Sequence, residues 1–435
     1  MIQHCENGNL NFPCYFCFMK NVNASIITIG DELLIGQVID TNSAWIAKQL
    51  NGAGVSVKRR VAVGDSAGEI IQALDEEGST SDIILLTGGL GPTSDDITKQ
   101  VLCDYFGGKM VVNEGALENV KHLFEKVFKR PVSEINLQQA EVPDVCEVIQ
   151  NTRGSAPGMI FYKENKIYIS MPGVPYEMQG IIEESVIPLI KEKFELPTII
   201  HRTILTAGIG ESALAELIQD FEKRLPKEIK LAYLPSYGMV RLRLSSVVLD
   251  KKDENRDIDS YFDELKILTK DFLVTDVDDS IPVVIGKLLQ SKNKTMSTAE
   301  SCTGGYISHL ITAVPGSSKY YEGSIISYSY NVKETLLGVK ESTLNTYGAV
   351  SEETVIEMLK GLISKINTDY GVAVSGIMGP DGGTVDKPVG TVWMAVGNSS
   401  NYQTQRISLR FKRERNIEVT AMMALNFLRK FIIAN

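Results

Sequence analysis

Short apolar runs alternate with amphipathic stretches over the first part of the chain. Residues 83–86 read Ile-Ile-Leu-Leu without a polar interruption, while residues 42–50 and 97–106 mix apolar and polar positions as helices do. A strand that is apolar on both sides suits a parallel sheet covered by helices on both faces. We therefore predict an α/β domain of βαβ units over residues 19–196, with further strands at 25–29, 55–63 and 166–170 and further helices at 67–74 and 176–194.

A second α/β pattern occupies residues 277–435. It predicts strands at 295–299, 324–328, 372–375 and 390–396 and helices at 282–289, 306–313, 352–365 and 417–431. Between the two α/β parts, residues 197–276 predict a small α+β domain, with strands at 199–206 and 240–248 and helices at 211–221 and 254–268. We interpret residues 1–18, which precede the first strand, as an extension that takes no part in folding.

Composition and charge narrow the classes of function. The chain has 435 residues, 43% of them hydrophobic, and a net charge of −10. This negative charge argues against general binding to nucleic acids or anionic membranes, both of which require an excess of Lys and Arg. No apolar run approaches the roughly 18 residues that span a bilayer, and the N-terminus lacks the pattern of a secretory signal. We predict a cytoplasmic protein.

The six cysteines do not form a disulfide framework. Three of them precede residue 18, which leaves the widely spaced Cys103, Cys146 and Cys302. Such a set fits a reducing compartment. A zinc cluster is the alternative for the N-terminal group, although its spacing matches no usual paired pattern; its ligands would be His4, Cys5, Cys14 and Cys17.

The most informative motif is Ala-Glu-Ser-Cys-Thr-Gly-Gly at residues 299–305, where a predicted strand gives way to a helix. Backbone N–H groups at the start of a helix can bind an oxyanion or a phosphate. Ser301 is a candidate nucleophile there, and Lys333 is a candidate general base if burial lowers the pKa of its amine. Helix capping by the serine is the structural alternative. The pair indicates amide hydrolysis.

Three further segments accompany this motif: Ser-Tyr-Ser-Tyr-Asn-Val-Lys at 327–333, Gly-Ala-Val-Ser-Glu-Glu-Thr at 348–354 and Ser-Gly-Ile-Met-Gly-Pro-Asp-Gly-Gly at 375–383. Together they resemble the CinA family (competence/damage-inducible protein A), whose C-terminal domain is similar to nicotinamide-nucleotide amidohydrolases. The resemblance covers roughly residues 20–435. This chain departs from the family pattern at Ser375 and Met378, where Thr and Ala are common, and at Arg413-Glu414, where Gly-Asp is usual.

The resemblance implies that the C-terminal domain converts nicotinamide mononucleotide and water to nicotinate mononucleotide and ammonia. It makes Ser301 the nucleophile, Lys333 the general base, Tyr328 a partner in the proton relay and Arg415 the ligand of the substrate phosphate. No cofactor is expected for this reaction. The remaining residues expected to contact substrate or hold the oxyanion are Thr303, Gly304, Gly305 and Ser375.

The N-terminal domain carries a second Gly-rich turn, Thr-Gly-Gly-Leu-Gly-Pro-Thr-Ser-Asp-Asp-Ile-Thr at residues 87–98. A tight β–α turn with acidic residues at the helix start is one explanation, and a phosphate cradle beside metal-binding carboxylates is the other. With the segments at 30–36, 40–42 and 171–178, this turn resembles the molybdopterin-binding fold and the N-terminal domain of the CinA family. The resemblance implies an ADP-ribose pyrophosphatase that needs a divalent metal (Mg²⁺, Mn²⁺ or Co²⁺). It places phosphate at Gly88, Gly89 and Gly91 and metal at Asp31, Asp95, Asp96 and Glu177.

Two other functions stay open at this stage. A molybdopterin-handling transferase would use the same N-terminal loop for a pterin or an adenylate, and a non-enzymatic protein of the competence or DNA-damage response would only bind nucleotides. The favoured interpretation is an enzyme of pyridine-nucleotide salvage that acts on nicotinamide mononucleotide and ADP-ribose. The resemblance also implies a homodimer, and neither nucleic acid nor membrane is an expected partner.

Overall fold

The computed structural model describes residues 22–93, 95–236, 238–248 and 256–435. The predicted extension at 1–18 and the alternative zinc cluster lie outside these residues. The chain divides into two compact units. One contains the described residues up to Ile200 together with Val247 and Val248, and the other contains His201–Ser246 and the described residues from 256 onward.

The first unit is built on a six-stranded sheet. The unit as a whole has eight strands among the described residues: β1 Asn23–Ile29, β2 Ser56–Val63, β3 Ile83–Thr87, β4 Met110–Val112, β5 Glu141–Pro143, β6 Glu147–Ile149, β7 Gly158–Lys163 and β8 Lys166–Met171. The sheet order is β2-β1-β3-β8-β7-β6, and β4 pairs separately with β5. The strands β2, β1, β3 and β8 run parallel, as predicted, while β7 and β6 add an antiparallel edge.

Helices cover both faces of this sheet. They are α1 Asp31–Leu34, α2 Thr41–Gly52, α3 Ala67–Thr80, α4 Thr98–Phe106, α5 Glu114–His122, α6 Glu134–Leu137, α7 Pro175–Ile181 and α8 Ile187–Lys193. Because successive strand residues point to opposite faces, neighbours on β1 enter different cores. Ile26 packs in the cluster that contains residues of α2 and α7, and Ile27 packs in the cluster that contains residues of α3 and α4. This explains why residues 83–86 of β3 are all apolar.

The second unit begins with the predicted α+β segment. Its elements are β9 Thr198–Ala207, α9 Glu211–Leu217, α10 Gln219–Arg224, β10 Ile229–Ser236, β11 Met239–Val248, α11 Arg256–Leu268 and β12 Leu273–Thr275. The strands form one sheet in the order β10-β11-β9-β12, with β10 and β11 as an antiparallel hairpin. Leu205 and Ala207 of β9 share a hydrophobic core with the remainder of this unit.

The C-terminal part of the second unit is an α/β fold around a five-stranded sheet of order β14-β13-β15-β16-β17. Its elements are α12 Ile281–Ser291, β13 Met296–Glu300, α13 Tyr306–Thr312, β14 Tyr321–Ile326, α14 Tyr330–Leu337, α15 Glu341–Tyr347, α16 Glu352–Ile366, β15 Tyr370–Gly376, β16 Thr391–Gly397, β17 Tyr402–Ser408 and α17 Arg413–Ala434. β14 and β15 run parallel to β13, and β16 and β17 are antiparallel additions. In the part of the chain that is described, no helix has the length and apolar content needed to cross a membrane.

Candidate active site

Three serines lie side by side at the carboxyl ends of three neighbouring parallel strands, two directly after their strands and Ser375 as the next-to-last residue of β15. Glu300 at the end of β13 pairs with Ile326 of β14 and with Val374 of β15. The next residues along the three chains are therefore brought to one edge of the sheet, and these are Ser301, Ser327 and Ser375. Ligands of open α/β sheets bind at the carboxyl ends of strands, where the connections diverge to either side. The sheet thus positions Ser301 where chemistry is expected.

Lys333 reaches this edge from the first turns of α14, which Ser329 caps by accepting a hydrogen bond from the Val332 N–H. Its Nζ lies 2.9 Å from the Ser301 Oγ, and it donates to the carbonyl oxygens of Ser327 at 2.6 Å and Tyr328 at 3.3 Å. A neutral amine has two N–H groups and one lone pair. Two carbonyl acceptors and one hydroxyl match that set, so the arrangement suits a general base that receives the serine proton.

Burial supplies the reason that this lysine can act as a base. Lys333 has no exposed surface, and Ser301 is 7% exposed. Removal from water disfavours the charged ammonium and lowers the pKa of Lys333 from 10.5 to about 8. About a tenth of the amine is then neutral at pH 7, compared with well under a thousandth for an ordinary lysine.

Glu300 fixes the turn that carries Ser301. Its side chain is fully buried, and its two carboxylate oxygens accept hydrogen bonds from both hydroxyls and backbone N–H groups. The donors are the hydroxyls of Thr298, Thr303 and Ser324 and the N–H groups of Gly305, Ile307 and Ser308. The carboxylate therefore caps the start of α13, whose positive end favours an anion. Sequence reasoning gave Glu300 no role, although its place directly before the serine was visible.

This capping changes the expected roles of three residues. The Thr303 hydroxyl and the Gly305 N–H donate to Glu300, and the Gly304 N–H donates to the Ser301 carbonyl at 3.2 Å. These groups hold the turn, so the N–H groups of Gly304 and Gly305 are not free for an oxyanion. Among the residues that the structure describes, the N–H groups of Cys302 and Thr303 have no acceptor. Both N–H groups are therefore available to donate to a ligand.

A cavity of about 240 Å³ opens in front of Ser301 and Lys333. Tyr328, Ser375 and Arg413 contribute to its wall, together with the Gly-rich loop after β15. Ser375 lies where it was predicted, but its hydroxyl donates to the carbonyl oxygen of Ala349 at 2.7 Å. It thereby ties the start of the Gly-rich loop to the segment before α16.

The arginine at this cavity is Arg413, whereas the predicted phosphate ligand was Arg415. Arg413 donates to the Gly379 carbonyl at 2.7 Å and to the Tyr328 hydroxyl at 3.3 Å. Arg415 does not line the cavity, and its Nη1 lies 3.7 Å from a carboxylate oxygen of Glu418. Residues two positions apart on a helix are separated by about 200° around its axis, so the side chains of Arg413 and Arg415 point in different directions. Of these two arginines, Arg413 is therefore the one that lines the cavity.

Tyr328 is less central than predicted. Its side chain is 64% exposed, and its hydroxyl contacts Arg413 instead of the catalytic pair. Its backbone carbonyl is the group that reaches Lys333. The neighbouring Cys302 is buried, which raises the pKa of its thiol to about 12 in spite of the positive charges of Lys333 and Arg413. A thiol that stays protonated is a poor nucleophile, which favours Ser301.

In the first unit, the predicted phosphate turn has a conformation that requires glycine. Gly88 and Gly89 directly follow β3 and have φ values of +118° and +64°. A Cβ atom on Gly88 would lie 2.2 Å from the Ile29 carbonyl oxygen, and one on Gly89 would lie 2.1 Å from the Thr98 hydroxyl. Gly91 lines a cavity of about 190 Å³ with Asp96 and Lys99. Gly88 and Gly89 are therefore required by close packing against Ile29 and Thr98, and the Gly88 N–H donates to the Met171 carbonyl, so of the three glycines Gly91 is the one that lines the cavity.

Among the described residues, the carboxylates predicted to bind metal do not form one preformed group. Asp31 and Asp65 each accept a hydrogen bond from the other's backbone N–H, Asp96 accepts from the N–H and hydroxyl of Thr93, and Glu177 accepts from Asn151. Within the described ranges, no three His, Cys, Asp or Glu side chains form a group that could hold a metal ion. A preformed site of three protein ligands is thus absent from these ranges, and no step of a reaction is assigned to a metal. Asp95 is exposed at the same turn, and after burial the negative charges of Asp31, Glu32 and Asp95 raise the pKa of Asp65.

Comparisons with known proteins cover nearly the whole chain. The family of the CinA C-terminal domain matches residues 278–432, that of the probable molybdopterin binding domain matches residues 25–192, and that of the damage-inducible protein CinA KH domain matches residues 201–273. Among solved structures, CinA of Thermoplasma acidophilum, described as a protein with unknown function, is 35% identical. It covers 39% of this chain and 99% of its own, with a TM-score of 0.35.

Full-length relatives are also similar. A CinA-like protein of Cytophaga hutchinsonii is 45% identical over 410 residues, which cover 94% of this chain and 98% of the relative. A CinA-like protein of Flavobacterium psychrophilum is 44% identical over 415 residues, which cover 95% of this chain and 99% of the relative. These matches confirm the resemblance and the α/β fold class, and the chain belongs to the family of CinA-like proteins.

Proposed function

We propose that the C-terminal domain is an amidohydrolase that deamidates nicotinamide mononucleotide. The observation that carries the proposal is the 2.9 Å contact between the Lys333 Nζ and the Ser301 Oγ. It lies in a buried site where the pKa of the amine is about 8. A nucleophile within hydrogen-bond reach of a base with such a pKa is the arrangement that covalent acyl transfer requires.

The reaction can be written with this chain's residues alone. The Ser301 Oγ bonds to the carboxamide carbon while its proton passes to the Lys333 Nζ, and the carbonyl oxygen becomes an oxyanion close to the N–H groups of Cys302 and Thr303. Collapse breaks the carbon–nitrogen bond, and Lys333 returns the proton to the departing nitrogen, which leaves as ammonia. Water then adds to the acyl ester by the same proton route, which releases the carboxylic acid and restores the serine.

Arg413 provides a reason for a phosphorylated substrate. Its guanidinium lies at the cavity beside the Tyr328 hydroxyl, and a planar guanidinium binds phosphate through two parallel hydrogen bonds. The base and the ribose of a mononucleotide would then bridge from the arginine to the serine. This supports a nucleotide amide over a free amide as the substrate.

The direct test is to incubate the full chain with nicotinamide mononucleotide and to measure ammonia and nicotinate mononucleotide. We expect both products in equal amounts, and a loss of at least about 10³-fold in kcat for Ser301→Ala and for Lys333→Ala. Ser329→Ala is the matched control, because it removes a cap hydrogen bond of α14 and leaves the pair intact. A folded wild-type protein that releases no ammonia would refute the proposal.

We propose a second activity for the N-terminal domain because Gly91 lines a cavity of about 190 Å³ together with the cation of Lys99 and the carboxylate of Asp96. The substrate expected there is ADP-ribose, and Mg²⁺, Mn²⁺ or Co²⁺ is the expected cofactor. Release of AMP from ADP-ribose that depends on one of these ions and is abolished by EDTA would support it. Tight binding of a pterin without hydrolysis would favour the molybdopterin-handling alternative.

The family resemblance also leads us to propose a homodimer, and light scattering tests this oligomeric state.

A further inference from the structure

A second cavity, of about 460 Å³, lies in the unit that also contains the amidase site. It is formed by strands of the β10-β11-β9-β12 sheet and by the start of α12. We call it the sheet cavity, and its wall includes Thr203, Leu234, Arg241, Arg243, Ser280 and Val283. Its volume is within the range of small-molecule sites, and it is larger than the cavity at Ser301.

Among the described residues around the sheet cavity, one cation has no counterion. Two carboxylates, Asp278 and Asp279, also line it. Asp278 lies 3.1 Å from the Arg241 Nε, and Asp279 lies 2.5 Å from the Nζ of Lys287, so each carboxylate already has a cation. Arg243 has neither an ion pair nor a hydrogen bond within the described part of the chain.

Arg243 is more than an exposed surface arginine. Its side chain is partly buried on β11, and its Nε atom is fully buried without a hydrogen-bond partner. A buried donor without an acceptor costs about 1–3 kcal/mol. Burial and, after it, the positive charge of Arg243 lower the pKa of His201, which shows that the arginine's charge is felt locally. An anion in the cavity would satisfy both the donor and the charge.

Two hydroxyls add to this set of donors. The side chains of Thr203 and Ser280 line the cavity, and neither makes a hydrogen bond to another described residue. Ser280 is the N-cap residue of α12, yet its hydroxyl does not cap the helix. Pro282 has no N–H, so the N–H groups of Ile281 and Val283 and the positive end of the dipole of this 11-residue helix face the same region. Leu234 and Val283 supply an apolar wall beside these donors.

We propose that the sheet cavity binds a phosphate monoester of a small molecule, with the phosphate on Arg243, Thr203 and Ser280 and the organic part against Leu234 and Val283. The bound molecule would meet α12 at its first turn. The apolar face of α12 shares a core with Cys302 and Met378, which line the Ser301 cavity, so a ligand here would act on the same core. The proposal does not depend on the identity of the amidase substrate.

The test is isothermal titration of the full chain with AMP, in an Arg413→Ala background that weakens phosphate binding at the Ser301 cavity. We expect Arg243→Gln to remove one binding site or to weaken it at least about tenfold, because a hydrogen bond to a charged group contributes about 1.5–3 kcal/mol. Arg202→Gln is the matched control, since Arg202 lies on the same sheet, pairs with Asp259 and does not line the cavity. Circular dichroism melting checks that each variant is folded.

Inorganic phosphate and a short single-stranded RNA are the comparison probes. Weaker binding of phosphate than of AMP, with both lost in Arg243→Gln, would support a phosphate ester that also uses the apolar wall. Equal stoichiometry and affinity for AMP in Arg243→Gln and in the control would overturn the proposal. Binding of the RNA in preference to AMP would also overturn it, because the site would then belong to a polymer.

Discussion

Lys333 combines two opposing requirements in a single residue. Burial lowers the pKa of its amine so that a useful fraction is neutral near pH 7, and the same burial destabilises the charged form that most of the population still carries at that pH. Three oxygen atoms around the Nζ keep it in position. Activity and stability should therefore respond to pH in ways that can be separated.

The first prediction concerns the rate. Because the neutral amine is the active form, kcat/KM for nicotinamide mononucleotide should rise about tenfold per pH unit below pH 7 and level off above about pH 8 to 9. A pH–rate profile in buffers of constant ionic strength measures this. A profile that is flat from pH 6 to 9 would contradict a lysine base.

The second prediction concerns stability. The pKa of Lys333 is lowered in the folded state from 10.5 to about 8, so the folded protein pays about 3 kcal/mol at pH values below 8. This cost falls as pH rises from 8 and is gone above 10.5. The free energy of unfolding of Lys333→Met minus that of the wild type should therefore decrease as pH rises from 7 to 10. Urea denaturation at several pH values measures the difference, and Lys340→Met, at an exposed lysine, should show no such trend.

The third prediction separates the two arginines at the start of α17. Arg413→Ala should raise the KM for nicotinamide mononucleotide about tenfold to a hundredfold, because it removes a charge-assisted contact to phosphate. Arg415→Ala should leave KM within about twofold, since Arg415 does not line the cavity and faces Glu418. Steady-state kinetics of the two variants decide the matter. The reverse result would restore the role first predicted for Arg415.

At the scale of elements, the turn between β13 and α13 is held by an internal carboxylate. Glu300 accepts from two consecutive N–H groups at the start of α13 and from hydroxyls on both sides of the turn. In this way a short helix of seven residues is fixed by side-chain capping in addition to core packing. The position of the nucleophile depends on this cap.

The fourth prediction tests the cap. Glu300→Gln places an amide N–H₂ among donors, so at least one buried N–H loses its acceptor, and the free energy of unfolding should fall by about 3 kcal/mol. The kcat should fall with it. Glu322→Gln, at an exposed position on β14, should change stability by less than about 0.5 kcal/mol. Chemical denaturation, with activity measured on the same preparations, tests this prediction. A Glu300→Gln variant as stable and as active as the wild type would show that the cap is dispensable.

Periodicity predicted most of the elements that form the two α/β sheets, because buried strands such as β3 and β15 are continuous apolar runs. It missed β17, since an edge strand with mostly exposed residues shows little pattern. It also missed α14, although Lys333 within it was identified from the motif. The capping role of Glu300 and the question of whether Arg413 or Arg415 lines the cavity both depend on side-chain directions, which spacing along the chain does not encode.

At the scale of the whole molecule, the two proposed chemistries lie in different units, each with cores of its own. Variants that act locally should therefore be independent of one another. The fifth prediction is that Ser301→Ala abolishes ammonia release and leaves ADP-ribose hydrolysis within about twofold, and that Asp96→Asn does the converse. Parallel assays of both activities on the same preparations test it. Loss of both activities in either variant would indicate coupling between the units.

The buried carboxylate of Glu300 also bears on the orientation that a phosphorylated ligand would take in the cavity. The positive end of α13 is occupied by a group of the protein itself, so a phosphate from outside gains nothing there and is repelled by the negative charge. The cation on the cavity wall is Arg413, close to the exposed Tyr328. If the proposed activity holds, a phosphorylated amide would bind with its anionic end toward Arg413 and its carboxamide toward Ser301. Free amides that lack the phosphate would reach the serine without this alignment and would react more slowly.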